Sequence, residues 1–311
     1  SELAGWVAGA GLMFAGGAAL MRGALGIAAG SGVPARIAAA TIVAFGASAP
    51  EMAAAVGLVR EGLAADVPAM IASANLANIA LALGLAALLA PVPTTGAGVR
   101  RGAVSAVLSV VLIGVWALSG VTLGLVAGLV MIAACAVHAW RLERAAAAGD
   151  PDPEADGHED IYALERAPRS LPLAAGLLVV GLLLLIAGAW LGVPAAAGLG
   201  GPDPGGAGPW LGVAAVAPEL GATLAAALTG RLAMAVPAAF SGVIFNALAV
   251  TGLALAMAPQ AVAPGRVEAL VLAAAGVVLA FAARTLLKAA VGRIEGAAYL
   301  AAFVAILILS G

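Results

Sequence analysis

The chain has 311 residues, of which 64% are apolar and only 10% are charged. A soluble domain of this length carries about 25% charged residues and needs polar faces on its outer helices. The composition therefore excludes a soluble globular protein and predicts an integral membrane protein. The net charge of −2 gives no basis for a nucleic-acid partner, and the single cysteine, Cys135, excludes an intrachain disulfide.

Ten apolar segments are each long enough to cross a hydrocarbon core of about 30 Å as a helix. They are far longer than the ~10-residue alternating strands of an outer-membrane barrel, so we predict an all-α membrane protein with ten transmembrane helices. No cleavable signal peptide is expected, because the first segment lacks a basic leader and a small-residue cleavage pattern. The segments cover approximately residues 3–21, 36–59, 67–90, 102–118, 121–140, 171–190, 210–229, 232–257, 267–284 and 289–309.

The two halves of the chain share a motif at a constant offset of 168 residues. The first copy, at 46–78, reads GASAPEMAAAVGLVREGLAADVPAMIASANLAN, and the second, at 214–246, reads AAVAPELGATLAAALTGRLAMAVPAAFSGVIFN. Because each half holds five crossings, an odd number, the second half must be inverted relative to the first. We predict two inverted five-helix repeats, residues 1–140 and 171–311, joined by a linker at 141–170. Residues that match at this offset are Pro50 and Pro218, Glu51 and Glu219, Ser73 and Ser241, and Asn78 and Asn246.

Basic residues are concentrated in the loops that follow odd-numbered segments. Those loops hold 12 of them, against two, Arg60 and Arg266, in the other loops. The positive-inside rule therefore predicts that both termini face outward and that the linker is cytoplasmic, in a prokaryotic-type inner or plasma membrane. The acidic stretch at 150–160 is typical of a flexible linker. A calcium loop beginning at Asp152 is the weaker interpretation, because its twelfth position is Ala163 instead of a glutamate.

Glu51 and Glu219 are predicted at membrane depth, where a charge costs about 2.5–3.5 kcal/mol on insertion scales. An inverted repeat brings them together, and two close carboxylates in a low dielectric need a cation between them or a shared proton. A neutral, hydrogen-bonded pair is the alternative, which the duplicated placement disfavours. Pro50 and Pro218 each leave a backbone carbonyl one turn earlier without its donor. Carboxylates and carbonyls are the oxygen ligands that calcium prefers, so we predict a cation site between the repeats.

The repeated motif resembles the alpha repeats of the sodium/calcium exchanger branch of the cation/calcium exchanger superfamily. Those repeats carry G-T-S-x-P-E and then G-N-x-I-G-S-N-I-x-N, against GASAPE with SANLAN and AAVAPE with SGVIFN here. The resemblance covers nearly the whole chain and implies alternating access, with segments one and six as gating helices. The ligand positions that it implies are the side chains of Glu51, Glu219, Ser48, Asn78 and Asn246, to which the backbone carbonyls of Ala47 and Ala215 are added.

Five positions that carry hydroxyls in that family have lost them here: Ala47, Ala74, Ala215, Val216 and Gly242. Sodium sites are built from neutral oxygens, so sodium binding should suffer more than divalent binding at two carboxylates. The first prediction is a secondary antiporter that exchanges calcium or a similar cation for sodium. The alternatives are a proton-coupled antiporter with weak sodium dependence and a non-transporting degenerate homologue.

No enzyme or ATP-driven pump is predicted. His138 and His158 have no cysteine or carboxylate partners at metal-catalytic spacing, and a phosphate-binding glycine motif is absent. The expected contacts are the lipid bilayer and the transported calcium, sodium or protons, with no cofactor and no nucleic acid. Small-residue pairs such as Gly124 and Gly128 are expected to pack helices within one chain, so the chain is expected to function as a monomer.

Overall fold

The computed structural model describes residues 1–30, 48–147, 170–203, 205–230, 232 and 235–310, which are almost entirely helical. Two π-helical turns, Ala77–Ala82 and Asn246–Val250, interrupt the helices, and two short strands, β1 (Val92–Pro93) and β2 (Ala290–Val291), pair antiparallel. The described helices are α1 (Glu2–Gly30), α2 (Ala49–Arg60), α3 (Val67–Leu76), α4 (Leu83–Leu89), α5 (Ala97–Ser119), α6 (Leu125–Ala147), α7 (Leu171–Gly200), α8 (Ala207–Ala215), α9 (Ala217–Thr229), α10 (Ala235–Phe245), α11 (Thr251–Met257), α12 (Arg266–Leu287) and α13 (Arg293–Ser310).

Seven helical stretches among the described residues are long and apolar enough to cross a membrane, and the bent pair α8–α9 would make an eighth. This supports an integral membrane protein. The predicted count of ten is not reached by this criterion. Residues 36–47 of the second segment lie outside the described residues, and α13, at the tenth segment, is an 18-residue helix that is not one of the seven. The predicted linker lies mostly outside the described residues, and α6 extends into it as far as Ala147.

The two most buried spans form the centre of the molecule. In 18-residue stretches of the spans formed by α3–α4 and α10–α11, 83% and 78% of residues are buried, whereas the value for α1 and α7 is 22%. Polar side chains of membrane helices face the interior of the bundle, and these two spans carry the buried polar residues Ser73, Asn75, Asn78, Ser241, Asn246 and Thr251. Each contains one of the two π-helical turns.

The longest helices, α1 and α7, run antiparallel along each other, because Gly23 contacts Leu178 whereas Gly9 contacts Gly192. A Cβ added to Gly9, Gly16 or Gly23 would lie within 3 Å of the α7 backbone. These glycines recur every seven residues, two helical turns, so they form one contact face that lets the helix backbones approach closely. The two helices correspond to the predicted gating segments one and six.

Several contacts recur at the offset of 168 residues. Gly84 packs against Gly296, and their counterparts Gly252 and Gly128 pack against each other. Val92 pairs with Val291 across the two strands, and their counterparts Gln260 and Leu123 form an isolated bridge. Equivalent parts of the two halves therefore make equivalent contacts.

The Gly128–Gly252 contact gives a stability prediction. A Cβ at Gly128 would lie 2.5 Å from the carbonyl oxygen of Gly252, so Gly128→Ala must push α6 from α11, and overpacking of this kind costs about 1–3 kcal/mol. We expect a lower midpoint of thermal unfolding in detergent, measured by tryptophan fluorescence. Gly276→Ala, at a helical glycine where the added Cβ meets no atom within 4 Å beyond its own helix backbone, is the control and should not lower the midpoint, because alanine favours a helix over glycine. Equal midpoints for the two variants would contradict the predicted close packing.

Candidate functional site

The two Pro-Glu motifs lie at equivalent helix starts. Helix α2 begins at Ala49 and α9 at Ala217, with proline in the first turn of each, where no backbone donor is required. The residues before them, Ser48 (φ −87°, ψ 6°) and Val216 (φ −80°, ψ 6°), have the same backbone conformation. In the second motif α8 ends at Ala215 and its axis is bent by 41° from that of α9. The helix is therefore broken next to the glutamate, as its proline predicts.

Helix α1 brings the two motifs together. A Cβ added to Gly17 would lie 3.2 Å from Cγ of Pro50 and 3.5 Å from Cγ of Pro218. One residue of α1 thus packs against both prolines at once. Because each proline precedes its glutamate, this arrangement places both glutamates beside the same part of α1.

The carboxyl groups of Glu51 and Glu219 are electrostatic neighbours. Glu51 is fully buried, and all four carboxyl oxygens of the pair are inaccessible to solvent. None of the four has a hydrogen-bond partner outside the pair among the described residues. Buried polar atoms are normally hydrogen-bonded, and two buried like charges repel. A cation or a proton between the two carboxyl groups would satisfy both requirements.

The two predicted asparagine ligands lie in the π-helical turns. Asn78 is in the first and Asn246 begins the second. Helix α9, which carries Glu219, packs on the turn of Asn78, and α2, which carries Glu51, packs on the turn of Asn246. Each glutamate helix thus contacts the asparagine turn of the other half. Such turns occur frequently at functional sites.

Amide atoms of both asparagines also lack partners. Both side chains are buried, and neither Nδ2 of Asn78 nor either amide atom of Asn246 has a hydrogen-bond partner among the described residues. Asn246 can therefore offer its oxygen to a cation without breaking an existing bond to the described protein.

The remaining predicted ligands are placed only in part. Ser48 is buried and makes no side-chain capping bond, and Ala215 is fully buried at the end of α8. Ala47 lies outside the described residues. A Cβ added to Gly242 would lie 2.7 Å from Nδ2 of Asn78. The Asn78 amide therefore occupies the space in which a residue 242 with a side chain would place its Cβ.

Three further buried polar residues were not assigned a role from the sequence. The hydroxyl of Thr251 donates to the carbonyl of Asn246 at 3.0 Å. Asn75 is 4% exposed, and its Oδ1 lacks a partner in the described part of the chain. Asp66 is 4% exposed and accepts a hydrogen bond from the backbone of Ala207. Two of them could have been noticed in the sequence. Asp66 is an isolated acid at the start of an apolar run, and Asn75 lies within the SANLAN motif.

No group of three or more His, Cys, Asp or Glu side chains arranged to hold a metal ion is found in the described ranges. The charged part of the candidate site is thus the glutamate pair, and other ligands must be neutral oxygens. The acidic stretch at 150–160, His158 and the calcium loop considered there all lie outside the described residues.

Solved structures of exchangers share this fold. The sodium-calcium exchanger NCX_Mj, soaked with 2.5 mM Na⁺ and 10 mM Sr²⁺, is 19% identical with a TM-score of 0.65, over 99% of this chain and 98% of that one. The H⁺/Ca²⁺ exchanger CAX is 17% identical with a TM-score of 0.77, over 100% of this chain and 85% of that one. A search of curated protein sequences gives no match.

The sequence model of one protein family covers both halves of the chain. The model described as sodium/calcium exchanger protein matches residues 1–141 and 173–311. This confirms the resemblance found in the two motifs, and since the family consists of transporters, it also confirms that transport and not catalysis is the class of function. The chain belongs to the sodium/calcium exchanger protein family.

Proposed function

We propose that this protein is a secondary antiporter that exchanges calcium, or a similar cation, for sodium by alternating access. Glu51 and Glu219 act as the charged ligands of the transported cation. One observation carries the proposal: four buried carboxyl oxygens, on two neighbouring glutamates, have no hydrogen-bond partner outside the pair among the described residues. A divalent cation bound between them would neutralise both charges.

Calcium takes 6–8 oxygen ligands, so the two carboxylates need neutral partners. In the proposed site these are the side-chain oxygens of Ser48, Asn78 and Asn246 and the backbone carbonyls of Ala47 and Ala215. The cross-packing of each glutamate helix on the opposite asparagine turn supports this set, because it draws ligands from both halves. The cation is the substrate of transport, and no resident cofactor is proposed.

The proposed architecture is a ten-helix bundle of two inverted repeats that works as a monomer. The recurrence of the Gly84–Gly296 and Gly128–Gly252 contacts at the offset of 168 residues supports it. Helices α1 and α7 carry no motif residue, pack mainly against each other and are the least buried spans with α6. They are therefore suited to slide across the central helices and open the site to each side in turn.

The proposed topology places both termini and residues 198–209 outside and the linker in the cytoplasm of a prokaryotic-type membrane. Cysteines introduced at Pro202 and Gly157, in a Cys135→Ala background, should react with an impermeant thiol reagent from opposite sides. Pro202 is exposed in the structure. Labelling of both positions from the same side would contradict the inverted repeat.

Proton coupling is the second candidate, and the loss of hydroxyls favours it. Ala74, Ala215 and Val216 are each at most 1% exposed, so apolar side chains fill positions where the family has hydroxyls. Protons need only the two carboxylates. The structural neighbours include a sodium-calcium exchanger and an H⁺/Ca²⁺ exchanger, so the shared fold does not distinguish the two candidates.

Ion flux tests both candidates. The purified protein is reconstituted into liposomes, and calcium uptake is measured with an outward sodium gradient at fixed pH, then with a pH gradient in the absence of sodium. Uptake driven by sodium supports the first candidate, and uptake driven only by the pH gradient supports the second. A protein that moves calcium under neither gradient would contradict antiport.

A further inference from the structure

A buried acid anchors the helix that precedes Glu219. Asp66 is 4% exposed, and its Oδ1 accepts a hydrogen bond of 2.9 Å from the backbone N–H of Ala207, the first residue of α8. The backbone amides of Gly205 and Gly208 also interact with this carboxylate. Since the first amides of a helix have no partner within the helix, an acid at this position satisfies them and favours the helix dipole.

The same helix is fixed to α3 at two further points. The hydroxyl of Ser73 donates to the backbone carbonyl of Pro209 at 3.1 Å. A Cβ added to Gly208 would lie 2.6 Å from Cβ of Ala69, and one added to Gly212 would overlap Ser73 Oγ. These contacts, together with the bonds of Asp66, are called the α3–α8 clamp here. The clamp runs from the loop at 198–209 towards Val216, three residues before Glu219.

Three of the clamp residues, Asp66, Gly208 and Gly212, differ in type from their counterparts at the repeat offset. At the offset of 168 residues, Met234 stands in the place of Asp66, and Ala40 and Ala44 stand in the places of Gly208 and Gly212. A thioether cannot take the place of a carboxylate as acceptor for three amides, and alanine cannot reproduce the close approach that the two glycines allow. The repeat is therefore asymmetric in the residues that form the clamp.

We infer that Asp66 is a positioning residue of the exchanger: it holds α8 against α3 and keeps the cation site closed towards the face that carries the 198–209 loop. This inference rests on the proposed function, because it assigns the clamp to one of the two access routes of alternating access. Opening the loop face requires the loss of the charge-assisted hydrogen bonds of Asp66, whereas the sequence places no acid at the equivalent position of the other half, Met234. The protein should therefore populate the state closed on the loop face more than its mirror state.

The test measures access to the site without requiring transport. Val216→Cys in the Cys135→Ala background places a thiol in a position that is 1% exposed beside Glu219, and the rate of labelling by an impermeant reagent is measured from each side of oriented vesicles. Adding Asp66→Ala should raise the labelling rate from the loop face about tenfold, with little change from the other face. The reason is that the net free energy of hydrogen bonds to a charged group corresponds to about a tenfold or larger change in an equilibrium. Asp66→Asn keeps one acceptor oxygen and should give a smaller increase. Gly212→Ala, which disturbs the clamp from α8, should also increase labelling from the loop face.

Asp203→Ala is the matched control, because Asp203 lies on the loop at 198–209 but is exposed, and its carboxylate forms an ion pair of 3.5 Å with exposed Arg266. It should leave both rates unchanged. Equal labelling rates for Asp66→Ala and its parent would overturn the inference. An equal increase from both faces would also overturn it, because it would show that the substitution loosens the whole protein and not one access route. Since labelling does not need a cation gradient, failure of this test is distinguishable from failure of the antiport proposal, which flux alone decides.

Discussion

Glu51→Gln and Glu219→Gln should each abolish cation exchange while the protein still inserts and folds. Removing one charge leaves a divalent cation half-neutralised in a buried site, and breaking a buried charge pair typically costs about 3–5 kcal/mol, or roughly 100-fold or more in affinity. Insertion should not suffer, because a neutral amide is easier to place in a membrane than a carboxylate. The measurement is the initial rate of calcium uptake into proteoliposomes at matched protein content.

Glu61→Gln is the control for this pair of variants. Glu61 follows the last residue of α2, ten residues after Glu51, and is exposed, so the same chemical change there should leave uptake unchanged. Wild-type uptake in either Glu51→Gln or Glu219→Gln would remove the glutamate pair from the mechanism. Loss of uptake in Glu61→Gln as well would show that the effect is not specific to the site.

Val216→Ser should strengthen sodium-driven uptake. Val216 has the same backbone conformation before α9 that Ser48 has before α2, so a serine there would place a second hydroxyl in the equivalent position. Serine is also a favoured N-cap residue. Because it is smaller than valine, it fits the buried position without a steric clash. A gained neutral ligand is worth about 0.5–1.5 kcal/mol, which corresponds to an increase in sodium affinity of up to about tenfold.

The readout is the sodium concentration that gives half-maximal calcium uptake, in Val216→Ser and in Val213→Ser as control. Val213 lies on α8 one turn earlier and is only partly buried.

In the unmodified protein, protons should compete with calcium for Glu51 and Glu219, so uptake at fixed calcium should fall as the pH is lowered. Strong sodium drive with rates independent of pH in the unmodified protein would contradict the importance assigned to the lost hydroxyls.

Much of the candidate site was predictable from sequence, because its residues occur in both copies of the repeat. A lone Glu51 after a proline would be ambiguous, whereas the same pair of residues at Glu219 indicates one arrangement formed twice. The structure places the two glutamates together, as expected. It also adds the π-helical form of the Asn78 and Asn246 turns, which hydropathy cannot show, because a π turn differs from an α-helix in hydrogen-bond register and not in composition.

The clamp and the close helix contacts could not be predicted from the sequence, because they join residues that are far apart in the chain. The role of Asp66 depends on Ala207, 141 residues later, and no local pattern connects the two. Gly17 and Gly212 cannot be told in the sequence from the many other glycines of the chain. Only the position of the neighbouring helix shows which glycines make a close contact. The helix count was affected by the break at the second motif, since α8 and α9 are each shorter than a continuous crossing.

Calcium binding tests the central claim most directly, since it isolates the site from the coupling ion. Titration calorimetry of the purified protein in sodium-free detergent solution should show calcium binding at one site, with binding lost in Glu51→Gln and in Glu219→Gln and retained in Glu61→Gln. Calcium binding that persists when both Glu51 and Glu219 are replaced by glutamine would contradict the assignment of these two carboxylates as the cation site.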